Sequence, residues 1–129
     1  MSVETTKQAI QKYLDSKHTD STVLAEDVIF NNMATGEKYT GPDEVLNMLN
    51  YMYHVSFDAH ASIKNLICED SKVVLEAEFI GKHIGVFTGI EPTNKDVRVP
   101  FCVVYDMVKD KIKTARIYFE VPALLEQLK

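Results

Sequence analysis

Arg116, Tyr118 and Glu120 alternate along a strand-like run near the C-terminal end of this chain. A period of two puts a guanidinium, a phenol and a carboxylate on one face. A carboxyl group at an apolar cavity wall is driven toward its neutral form by desolvation, which brings it into the range useful for proton transfer. The same residue at a strand end can instead be exposed or ion-paired, and spacing alone favours that reading of Glu120. Four residues separate Arg116 from Glu120, so their backbones lie ~13 Å apart on a straight strand and a direct pair is not expected. Tyr118, between them, is placed to hydrogen-bond a ligand or the carboxylate. The alternatives are that Tyr118 fills core and that Arg116 reaches solvent at a dimer seam. His83 lies near a bend between Gly81 and Gly85. It is suited either to exchanging a proton near neutral pH or to holding a loop by bonding backbone, and the second role is the commoner. Tyr13, Asn31 or Asn32, and Tyr53 are polar groups on elements expected to face the core, where they orient a substrate or sit satisfied at its edge.

Other chemistries find no support. Asp58 and His60 share a strand face without a third ligand, and His18 and His54 are distant in sequence, so no metal is expected. Cys68 and Cys102 lie in apolar runs with no neighbouring His and read as packing residues, not as nucleophiles or a disulfide. There is no Gly-x-Ser-x-Gly elbow and no phosphate loop, and no cofactor is implied. The 14 Lys+Arg against 19 Asp+Glu leave a net charge of −5. That sign opposes binding to nucleic acid and to anionic membrane surfaces. No apolar run approaches the roughly 20 residues of a membrane span. The polar start, Met1 to Lys7, lacks a signal-peptide core, so a cytosolic location is expected.

The elements that must position these groups follow from periodicity. At 129 residues, without an internal repeat or a dividing linker, one domain over 1–129 is expected. Val3 to Lys17 carries apolar residues at helical spacing. A short helix is expected from Thr19, carrying Val23 and Leu24 and ending near Asp27, followed by a strand at Val28–Asn32. Thr40-Gly41-Pro42-Asp43-Glu44 starts a helix whose Val45, Met48, Leu49 and Met52 form a stripe. From Phe57 the period becomes two. Strands are expected from Phe57, around Val73–Ile80, from Val97 to Met107 and from Ile112 to Glu120, with turns at Glu69-Asp70-Ser71 and Lys109-Asp110. Pro122 opens a short final helix. Helices first and strands after give an α+β fold with a mainly antiparallel sheet. A strongly bent sheet of this kind, with helices in its concave face, leaves a conical cavity for a ligand.

Two stretches carry a family resemblance. Gly81-Lys82-His83-Ile84-Gly85-Val86-Phe87-Thr88-Gly89-Ile90-Glu91-Pro92-Thr93-Asn94-Lys95 resembles a segment of the SnoaL-like polyketide (ester) cyclases, within the nuclear-transport-factor-2-like superfamily. Asp110-Lys111-Ile112 through Arg116-Ile117-Tyr118-Phe119-Glu120, then Leu124-Leu125-Glu126-Gln127-Leu128, resembles that family's last strand and tail. The resemblance implies a cone-shaped fold and a homodimer through the outer sheet face. It also implies a catalytic acid/base at Glu120, where the family carries Asp. A pocket histidine of the named cyclase falls on Val103 here. The expected pocket comprises Tyr13, Asn32, Tyr53, His83, Phe101, Val103, Arg116 and Tyr118 around Glu120. Comparison with steroid isomerase, of the same fold, aligns Tyr13 with its Tyr but puts Asn32 and Cys102 where its two Asp stand, so that chemistry is not expected.

Two functions follow. One is a cofactor-independent cyclase or isomerase, in which Glu120 moves a proton next to a carbonyl of a small, apolar, polyketide-like substrate. The other is a non-catalytic binding or dimerisation module of the same fold.

Overall fold

A computed structural model describes residues 2–129. Helix α1 (Val3–Asp15) begins at Ser2, whose hydroxyl accepts from the Thr5 N–H while the Thr5 hydroxyl accepts from the Ser2 N–H. Its buried stripe is Thr6, Ala9, Ile10 and Tyr13. The helix stops short of Lys17 because Lys17 and His18 both turn left-handed, with φ of 54° and 67°. The short helix expected up to Asp27 is a single 3₁₀ turn, Ser21–Val23, and the chain is already extended at Leu24. β-Branched and aromatic residues at Val28, Ile29 and Phe30 favour strand there.

Strand β1 (Leu24–Asn32) leads through a tight hairpin to β2 (Lys38–Thr40), and α2 (Gly41–Asn50) follows directly. A π turn, Tyr51–Val55, extends α2. Then come β3 (Phe57–Glu69), β4 (Lys72–His83), β5 (Asp96–Val108), β6 (Lys111–Phe119) and α3 (Val121–Gln127). The six strands form one curved, open sheet in the order β2-β1-β6-β5-β4-β3. All neighbours are antiparallel except β1 and β6, which run parallel. The fold is therefore α+β, as expected, with the helices packed on a mixed sheet. Among the described residues, no helix is long and apolar enough to cross a membrane.

Phe101, Val103 and Tyr105 of β5 stand opposite Phe119, Ile117 and Ala115 of β6, and opposite Ala77, Leu75 and Val73 of β4. These residues make the inner face of the sheet. One irregularity matters for the site. Asp106 pairs with Thr114 and Met107 with Ile112, so Lys113 is an extra residue in β6. Such a bulge resets the alternation of side chains beyond it.

The β4–β5 connection is clasped by His83, which is fully buried. Its Nδ1 accepts from the Thr93 N–H at 3.1 Å, while its backbone bonds Lys95 and Asn94. Further along, the Val86 carbonyl accepts from the Ser56 and Tyr51 hydroxyls at 2.7 and 3.2 Å. These bonds seat Phe87, which is buried against Phe57. Gly81 faces Ala59 so closely that an added Cβ would lie 2.5 Å from the Ala59 Cβ and from the Asp58 carbonyl oxygen. Gly81→Ala should therefore destabilise the protein by about 1–3 kcal/mol through overpacking, read as a lower midpoint in urea unfolding. An unchanged midpoint would show that β3 yields freely at this point.

Candidate functional site

A partly open cavity of about 390 Å³ lies between the inner sheet face, α1 and α2. Its wall is mainly aromatic. Phe79 comes from β4, Phe101 and Tyr105 from β5, and Phe119 from β6, with Phe30 from β1 and Phe87 from the clasped loop. Thr35, Glu37, Tyr51 and Thr88 also line it and are exposed, so they mark its mouth.

Its polar groups gather where α1 ends. The His18 ring lies over Tyr53, with centroids 4.4 Å apart, and edge-on to Tyr13 at 6.0 Å. Tyr13 in turn meets Tyr105 edge-on at 6.0 Å. Burial, helped by the nearby His54, lowers the His18 pKa from 6.5 to about 4, so the imidazole is neutral at pH 7. Burial also pushes the Tyr13, Tyr53 and Tyr105 phenols well above 10, so they remain hydrogen-bond donors. At the mouth, the Tyr39 hydroxyl donates to Glu37 Oε2 at 3.3 Å. Asn32 lines the cavity, but its Oδ1 accepts from the Ala34 and Thr35 N–H groups and so fixes the β1–β2 hairpin. The arrangement can hold an apolar body, donate hydrogen bonds from phenols and exchange a proton at a neutral imidazole. Among the described residues, no cluster of three or more His, Cys, Asp or Glu could hold a metal.

The family model for SnoaL-like polyketide cyclases matches residues 5–128. The chain belongs to that family. A comparison with curated proteins gave no match. Among solved structures, a candidate polyketide cyclase from Xanthomonas campestris pv. campestris is 18% identical, with 98% of each chain covered and a TM-score of 0.85. A candidate SnoaL-like polyketide cyclase from Jannaschia sp. CCS1 is 15% identical over 97% of this chain and 92% of its own, TM-score 0.83. A hypothetical protein with a ketosteroid isomerase-like fold from Catenulispora acidiphila, in complex with trimethylamine, is 17% identical over 93% and 91%, TM-score 0.74. At these identities the structural likeness establishes the fold.

The cavity of this SnoaL-like domain gathers five of the nine residues expected from sequence: Tyr13, Asn32, Tyr53, Phe101 and Val103. The other four lie elsewhere. Glu120 is exposed, precedes α3 and does not line the cavity. Its neighbours Phe119 and Val121 do line it, so alternation turns the carboxylate outward. Tyr118 is 47% exposed, and Arg116 points to the outer face, where it bonds Asp106 at 2.8 Å. Partial burial opposes ionisation of Asp106, but hydrogen bonds from Lys72, Arg116 and Thr114 hold its carboxyl below the usual range. His83 is walled off as the loop clasp. The β6 bulge accounts for this placement. Strict alternation from buried Ile112 would bring Thr114, Arg116, Tyr118 and Glu120 inward, whereas the extra Lys113 brings Ala115, Ile117 and Phe119 inward instead.

Sequence reasoning missed His18, Glu37, Tyr39 and Tyr105. Tyr105 had a signal, since it shares a strand face with Phe101 and Val103. His18 had none, because a left-handed pair after α1 aims it. The sign of its effect on stability follows from its lowered pKa. Between pH 6.5 and about 4 the unfolded chain binds the extra proton, so stability falls as pH drops through that window. His18→Gln should remove at most about 3 kcal/mol of that acid-side loss, measured by urea unfolding at pH 7 and at pH 4.5. Parallel pH profiles for both proteins would refute a partly buried, neutral His18.

Proposed function

We propose that this SnoaL-like domain binds a small, mainly apolar carbonyl compound of polyketide type and moves a proton at the carbon next to the carbonyl, without a cofactor. What carries this reading is the neutral His18 imidazole beside buried phenols in an aromatic cavity. The imidazole lone pair takes the proton from carbon, and the Tyr13 or Tyr105 phenol donates to the carbonyl oxygen as it gains charge. The protonated imidazole then returns the proton at the new position, giving isomerisation, or after ring closure, giving cyclisation. Aromatic walls exclude water and strengthen these interactions. Glu120 has no part in this scheme.

The test is deuterium uptake at the activated carbon of neutral β-keto esters in heavy water, followed by proton NMR. The wild-type protein should accelerate uptake, His18→Gln should lose ~10²–10⁴-fold, and Glu120→Gln should match wild type. Full activity in His18→Gln, or its loss in Glu120→Gln, would reverse the assignment.

A second reading has its own support. By the sequence resemblance Val103 replaces a pocket histidine, and Glu120 is exposed, which suits a binding module without turnover. Under it, the same esters raise the melting temperature but no variant exchanges deuterium. In either case the proposal includes a cytosolic homodimer joined through the outer sheet face, where Cys102 stands opposite Tyr118 and Val104 opposite Arg116. Sedimentation velocity at micromolar concentration should show a dimer; a single monomeric species would remove that part.

A further inference from the structure

The charge balance of the cavity says more about its ligand than its shape does. Glu37 is the only formally charged side chain at neutral pH among the described residues that line it, and no Lys or Arg does so. His18 adds no charge there at pH 7. The Glu37 carboxylate makes no ion pair among the described residues, and accepts only from the Tyr39 hydroxyl. It differs in this from Asp106 and Glu78, each of which holds two cationic side chains. The half-buried Tyr39 ring lies beside Glu37, and the exposed Tyr51 ring also lines the mouth. Aromatic faces carry partial negative charge and attract cations, most strongly where water is excluded.

Two consequences follow. A ligand carboxylate entering this cavity would lose its hydration and meet no counter-charge, a heavy penalty. A protonated amine left at the mouth would meet an unpaired carboxylate and ring faces while its apolar body fills the cavity. The chain's net charge of −5 draws in cations and repels anions over longer range.

We propose that the cavity selects an amine-bearing apolar ligand, its ammonium group held at the mouth by Glu37 and the adjoining Tyr39 ring. Glu37 is then a specificity-determining residue. This rests on the cavity being the ligand site, but not on any catalysis within it.

The experiment compares three probes with one skeleton, naphthylmethylamine, naphthylmethanol and naphthoate, by calorimetric titration of the full chain at pH 7. The amine should bind about 10-fold more tightly than the alcohol, and naphthoate more than 100-fold more weakly than the amine. Glu37→Gln should weaken the amine about 3- to 10-fold and leave the alcohol unchanged, which separates lost charge from lost fold. Equal binding of amine and alcohol, or tighter binding of naphthoate, overturns the charge selection while leaving the cavity as a ligand site. Failure of all three probes to bind overturns both.

Discussion

One extra residue in β6 decides which chemistry this fold presents inward. Between Ile112 and Thr114 the strand carries Lys113 without a partner on β5, and from there the pleat runs in the opposite phase. Because side chains alternate with a period of two, a one-residue shift exchanges the two faces of everything downstream. Ile117 and Phe119 therefore line the cavity and Ala115 is buried in the core, while Thr114 and Arg116 bond Asp106 at the back. The cavity stays free of carboxylate and guanidinium along its whole sheet wall for that reason. Apart from the Tyr105 phenol of β5, its polar groups come from the helical side and from the mouth.

That division explains how the site is held. The sheet supplies rigidity and apolar surface, through long pairings of β4 with β5 and of β5 with β6. The end of α1 supplies function, because two left-handed residues turn the chain sharply enough to lay His18 on Tyr53. Positive φ at a non-glycine residue is strained, and such strain is found where a side chain must be aimed. His18, Tyr53 and Phe79 then follow one another in a run of tilted ring contacts into the core.

The architecture was largely legible in the sequence, and the site only in part. Helical spacing found α1 and α2, and the alternation from Val97 to Met107 found β5 with its inner face correctly phased. Tyr13, Phe101 and Val103 followed from those patterns. Local periodicity has no means of registering a bulge, since Lys113 looks like any outward strand residue; the pocket roles of Arg116, Tyr118 and Glu120 came from the family resemblance, and the bulge turns all three away from the cavity. Nor does periodicity register backbone handedness, so His18 looked isolated from the other histidines. His83 sat in the most family-like segment, yet its ring is turned to Thr93 and Phe57. The motif there preserves the loop's shape.

The double grip on the Val86 carbonyl links two segments far apart in the chain. Ser56 and Tyr51 belong to the turn that ends α2, and both hold the carbonyl next to Phe87. Phe87 and Tyr51 also approach one another, at 6.4 Å between rings. Loop and helix end are thus tied together beside the cavity by two hydroxyl contacts and one pair of rings. Because one carbonyl oxygen serves both hydroxyls, loss of either segment's shape would also release the other from the cavity wall.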